Sequence, residues 1–133
     1  MCGKLNNRNI PFEDNAFDLL LSINVIHYEG SLENVEKALK EYSRVLAPGG
    51  RLLLSTVGPS HVILQRAKSI ERYCYEIRDY DFRNGTRFFC FETKDYLKAC
   101  LEKEFSGVET GRVTEQLMNY ELDFLLGSAE AVK

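Results

Sequence analysis

The sequence has no apolar run close to the roughly 20 residues that a helix needs to cross a bilayer. Its opening residues are mostly polar, which argues against a secretory signal. The four cysteines (Cys2, Cys74, Cys90, Cys100) form no C-x-x-C pair and no metal-like grouping with His27 or His61. No metal site is expected, and free thiols in a reducing cytoplasm fit this cysteine usage. Excess positive charge is also missing: 17 basic and 20 acidic residues leave a net charge of −3, with no long run of either sign. Nucleic-acid binders are usually basic because phosphate neutralisation drives their affinity, so such a partner is disfavoured. There are no internal repeats and no low-complexity tracts. What remains, 133 residues at 44% hydrophobic and 28% charged, is ordinary for one soluble globular domain.

The three prolines (Pro11, Pro48, Pro59) punctuate the chain. Residues 1–16 hold Asn6, Asn7, Asn9, Pro11, Glu13, Asp14 and Asn15, which is loop chemistry. Phe17 to Ile23 is a short, nearly continuous apolar run, as in a parallel strand covered on both faces. Ser31 is an N-cap candidate for a helix whose stripe is Leu32, Val35, Ala38, Leu39, Tyr42, Val45 and Leu46. Pro48-Gly49-Gly50 stops that helix, and Arg51 to Val57 reads as a second buried strand before Gly58-Pro59. Residues 17–58 therefore predict a βαβ unit with a right-handed crossover.

From His61 the spacing of Ile63, Ala67, Ile70, Cys74 and Ile77 predicts a helix. Asn84-Gly85 marks a turn, and Thr93 caps a further helix with Leu97, Cys100, Leu101 and Phe105 on its face. Cys74 and Cys100 both fall on apolar faces of these predicted helices. Val108 to Leu117 and Tyr120 to Leu126, separated by Met118-Asn119, predict an antiparallel hairpin over residues 107–127.

The segments NIPFEDNAFDLLLS and KEYSRVLAPGGRLLLS resemble the Pro-Phe approach to the fourth strand and the helix-PGG-strand segment of class I S-adenosylmethionine-dependent methyltransferases. The resemblance implies an α/β fold. It would be a partial Rossmann-like methyltransferase sheet, with parallel fourth and fifth strands, a C-terminal antiparallel hairpin and flanking helices. Over the single partial domain 1–133, it implies an adenine-side loop at 1–16, the βαβ unit at 17–58, a helical acceptor region at 59–106 and the hairpin. S-adenosyl-L-methionine is the implied cofactor. Asn6, Asn7 and Arg8 stand where the family contacts adenine, and Ser22, Ile23 and Asn24 lie at the C-terminal end of the fourth strand. A plain turn at Asn6–Asn9 and a backbone-satisfying role for Ser22 are the alternatives.

The family's Gly-x-Gly loop and its ribose-binding acidic residue have no counterpart, since some sixteen residues precede the first strand. The expectation is a cofactor-incompetent half of a methyltransferase acting on a small-molecule acceptor. Its partner would be the absent N-terminal half, or a second copy joined through the strand at 17–23. A catalytically inactive module for protein–protein association is the alternative. His27 is a weak candidate for a general base, because imidazole titrates near neutrality; a loop histidine without a chemical task is the other reading. The aromatic stretch 73–91, with Arg78, Arg83 and Arg87 interleaved, suits either core packing or an acceptor pocket.

Overall fold

The computed structural model describes residues 6–78 and 84–132. Its main sheet has four strands in the order β1-β2-β7-β6. β1 (Phe17–Ile23) lies parallel to β2 (Leu46–Val57), and helix α1 (Leu32–Val45) connects them. β6 (Phe105–Leu117) and β7 (Tyr120–Ala131) form a long hairpin, with β7 inserted antiparallel between β2 and β6. This is the expected pair of parallel strands with a closing hairpin, though the hairpin extends beyond 107–127 at both ends.

α1 forms for the reasons its sequence supplies. The Ser31 hydroxyl accepts the Asn34 N–H at 3.2 Å, and Val35, Ala38, Leu39, Tyr42 and Val45 are buried along one stripe. Pro48-Gly49-Gly50 is absorbed into the start of β2 as a register break between the pairs Phe17–Leu46 and Leu19–Arg51. Gly49 takes φ +77°, and a Cβ on Gly50 would meet the Ala47 carbonyl oxygen at 2.9 Å. Glycine is needed at both positions.

The helix expected from His61 to Ile77 is not formed. One turn, α2 (Val62–Gln65), gives way to β3 (Ala67–Glu71) and β4 (Cys74–Ile77). These join β5 (Arg87–Phe89) in a small antiparallel sheet. Cys74 therefore sits on a strand. Tyr73 at φ +67° makes the turn, and Tyr75 stacks on Phe88 across the strands with centroids 5.5 Å apart. Aromatic cross-strand pairing outweighs a helical spacing that short apolar runs carry only weakly. In the aromatic stretch, Phe88, Phe89 and Phe91 are core residues, while Arg83 lies outside the described residues.

Helix α3 (Lys94–Leu101) is capped by Thr93, whose hydroxyl accepts the Tyr96 N–H at 3.1 Å. Its expected face member Phe105 instead opens β6. Gly127 lets α3 lie against β7, since a Cβ there would meet Leu101 Cδ1 at 2.8 Å.

The register separates the two faces of the main sheet. Leu52, Leu54, Leu125 and Ala129 pack under α1 and α3, with Leu20 against them. On the opposite face Leu19, Leu21, Ile23, Leu53 and Leu126 are exposed, with Leu21 at 59%. A strand parallel to its neighbour is normally covered on both sides. Among the described residues β1 is also the edge of the sheet, so it is covered on one face and paired on one side.

Candidate functional site

The C-terminal ends of β1 and β2 converge with the turns that follow them, the region where open α/β sheets hold ligands. Asn24, the residue directly after β1, takes φ +54°. Its backbone N–H donates to the Ser55 carbonyl at 2.9 Å and lies 3.1 Å from the Ser55 hydroxyl. That hydroxyl donates to Asn24 Oδ1 at 2.8 Å. Because the hydroxyl proton goes to Oδ1, the outer face of the amide is its NH2 group.

A 3-10 turn, Ile26–Glu29, carries His27 back under the sheet. His27 is buried, with Nδ1 3.2 Å from the Thr56 hydroxyl and accepting the Val57 N–H at 3.3 Å. An acceptor Nδ1 carries no proton in the neutral ring, so the proton sits on Nε2. His27 is thus tied to the end of β2 by structural bonds.

β2 leads into Gly58-Pro59-Ser60-His61, a turn held down by Asp123 of β7. The Asp123 carbonyl accepts the Gly58 N–H at 2.8 Å, and its Oδ2 accepts the Ser60 N–H at 2.8 Å. Arg112 grips the same carboxylate with Nε and Nη2 at 2.8 and 2.7 Å, and reaches the Ser60 hydroxyl at 2.9 Å. Burial of Asp123 alone would raise its pKa. The bonds from Arg112, Ser60 and Thr114 outweigh burial, and the pKa lies below the usual carboxylate value. Gly58 is required here, since a Cβ would lie 2.5 Å from Asp123 Oδ2.

His61 is the N-cap of α2, its Nδ1 accepting the Ile63 N–H at 3.1 Å. Its ring meets Phe124 edge-on, with centroids 5.2 Å apart. Burial lowers its pKa against the opposing pull of Asp123, so the ring is neutral near pH 7 in the Nε2–H form. Asn24, His27, Tyr28, Val57, His61 and Phe124 line one small cavity of about 140 Å³.

The residues expected to face a cofactor are spread over three places. Asn6 to Asn9 form a tight turn, with Asn6 Oδ1 accepting the Arg8 N–H at 2.9 Å and Asn6 bridging Asn9. Arg8 pairs with Glu29 at 2.9 Å and borders a groove on α1 with Lys37 and Arg44. Asn7 and Ser22 do come together, on a mainly apolar slot of about 250 Å³ along the open edge of β1 with Phe12, Leu20 and Tyr42. Ser22 is 2.9 Å from the Tyr42 hydroxyl, whose pKa burial pushes up to about 12. Ile23 faces the bare side of the sheet, and Asn24 belongs to the cavity with the two histidines.

His61, Asp123 and Arg112 were not marked by any motif. The one signal for His61 is its place two residues after the strand-ending Gly58-Pro59. The Asp123–Arg112 pair depends on hairpin register, which no local pattern reveals. Among the described residues no cluster of ligating side chains suits a metal, and no helix is long and apolar enough to cross a membrane. Cys74, Cys90 and Cys100 are free and buried; burial raises the Cys90 pKa to about 12 and the Cys100 pKa to about 11.

The class is defined by this architecture: a Rossmann-like α/β sheet with a reversed last strand and a crevice at the strand ends. A family model described as a methyltransferase domain matches residues 2–54. A protein carrying a methyltransferase name in Encephalitozoon cuniculi (strain GB-M1) is 31% identical over 118 residues, covering 81% of this chain and 53% of that one. Mouse probable tRNA methyltransferase 9B is 49% identical over 49 residues, 37% of this chain and 11% of the mouse protein. Two solved structures share the fold across 96% of the chain. A SAM-dependent methyltransferase of Methanosarcina mazei superposes at TM-score 0.70 with 20% identity over 66% of its length. The Burkholderia thailandensis 1,6-didemethyltoxoflavin N1-methyltransferase, solved with S-adenosylhomocysteine, gives 0.68 at 16% identity over 48% of its length. Residues 2–54 thus match the methyltransferase-domain family, and the chain as a whole shares the fold of S-adenosylmethionine-dependent methyltransferases. Its matches span about half or less of the curated relatives just described.

Proposed function

We propose that this chain supplies the adenine-side and acceptor-side walls of a methyltransferase that transfers a methyl group from S-adenosylmethionine to a small-molecule acceptor. The observation that carries this is the parallel β1–β2 pair ending in a small cavity lined by Asn24, His27 and His61. The cofactor, when bound, supplies an electrophilic methyl group whose bonding electron pair returns to sulfur as the new bond forms. The chain's own part is alignment, which can account for much of the acceleration when the nucleophile is already competent.

The residues fit the cofactor in part. The slot beside Asn7 and Ser22, walled by Phe12 and Leu20, suits a flat heteroaromatic ring with one amide at its rim. No Gly-x-Gly segment in the sequence offers close backbone approach to the rest of the molecule. A second polypeptide segment against β1 would complete the pocket, and the bare sheet face favours such a partner. Its place is the edge at 17–23, unpaired among the described residues, where a second copy of the chain would compete. The buried thiols support a reducing, cytoplasmic setting.

Calorimetric titration with S-adenosylhomocysteine, alone and with an added polypeptide carrying the glycine loop, tests the reading. Uptake only in the second case supports it. The alternative, an inactive association module, is favoured by the same exposed face, and absence of uptake in both cases would select it. A nucleic-acid acceptor is disfavoured by the net charge of −3.

A further inference from the structure

The cavity between Asn24, His27, His61 and Phe124 presents hydrogen-bond donors to whatever enters it. Asn24 turns its NH2 outward because Ser55 holds Oδ1. His61 spends Nδ1 on the Ile63 N–H, leaving an Nε2–H that makes no hydrogen bond among the described residues. His27 spends Nδ1 on Thr56 and Val57 and shares the same tautomer. A backbone N–H fixes each ring, so neither neutral imidazole offers a basic Nδ1 to a ligand. Phe124 and Tyr28 add flat apolar walls, the former edge-on to His61 and the latter 4.3 Å from the His27 ring.

We propose that this cavity selects a planar ligand bearing an oxyanion, such as an aromatic carboxylate, held by Asn24 Nδ2 and His61 Nε2, with His61 acting as a donor rather than a general base. Donors without an acceptor reject ligands that cannot accept, because the polar atoms would be left unpaired on binding. Asn24 and His61 are then positioning residues for the acceptor. Only that role rests on the methyl-transfer reading; the binding itself does not.

The probe is benzoate, titrated into the full chain without methyl donor and followed by long-range proton–nitrogen spectra of the histidines. Both rings are expected as Nε2–H tautomers near neutral pH, with the His61 signals moving on benzoate addition. Asn24→Asp, nearly isosteric, replaces a donor with a charge of the wrong sign and should weaken benzoate about ten- to a hundredfold. His61→Phe should weaken it by a similar factor, and His61→Gln, which restores a donor, by much less. Benzyl alcohol should bind more weakly than benzoate. An Nδ1–H tautomer at His61, no benzoate-dependent shift, or equal benzoate affinity in wild type and Asn24→Asp would each overturn the proposal. None of these results depends on the S-adenosylhomocysteine titration, so failure of the cavity and failure of the methyltransferase reading are separable.

Discussion

Asp123 is the residue on which the loop after β2 depends. It lies under Gly58, accepts from Ser60 and is gripped twice by Arg112. Asp123→Ala should lower stability by about 2–3 kcal/mol, the usual cost of losing hydrogen bonds to a buried charged group. A denaturant midpoint measured at constant m-value checks it. The carboxyl pKa is lowered in the fold, so its contribution is present above the unfolded pKa near 3.8 and fades as pH falls through the lower folded value. Acid titration of stability should therefore show a limb at and below pH 3.8 in the wild type that is missing from Asp123→Ala. Gly58→Ala should be comparably damaging, because its Cβ has no room beside that carboxylate. Gly58 was legible only as a strand end and Asp123 not at all, since their meeting needs β7 to lie antiparallel beside β2.

At the scale of elements, caps and turns follow local rules and can be broken one at a time. Ser31→Ala should cost α1 about 1 kcal/mol, read as a shift in thermal midpoint, because the Asn34 N–H would lose its partner. The caps at Ser31 and Thr93, the βαβ order and the Met118-Asn119 turn were all legible, since each depends on residues within a few positions. The stretch 61–77 was not. Its helical spacing and its strand pairing use the same apolar residues, and the choice falls to Phe88 and Phe89, which sit in β5 beyond the next turn. Asn6 to Asn9 take up the plain turn that their loop chemistry allowed, whereas the ion pair of Arg8 with Glu29 was not indicated by spacing.

Among the described residues of the whole molecule, the main sheet has one well-packed face and one bare one. Leu19, Leu21, Ile23 and Leu53 are exposed together beside a strand edge that is unpaired among the described residues, a combination that invites pairing with another chain. The chain by itself should self-associate with rising concentration, seen as increasing weight-average mass in sedimentation velocity. Leu21→Lys should reduce that association without loss of helical circular dichroism, since Leu21 faces away from α1 and its side chain is exposed. A monomer at every concentration would count against strand pairing as the route to a completed sheet.

The amino-acid sequence alone determined the parallel strand–helix–strand unit, its capped helices and the closing hairpin, because these follow from periodicities and stop signals read over a dozen neighbours. Tertiary structure decided the small antiparallel sheet, the Asp123 clamp and the gathering of Asn24, His27 and His61 at one cavity. Those features join residues up to 100 positions apart, from Asn24 to Phe124, and the pairing of β2 with β7 brings them to one cavity.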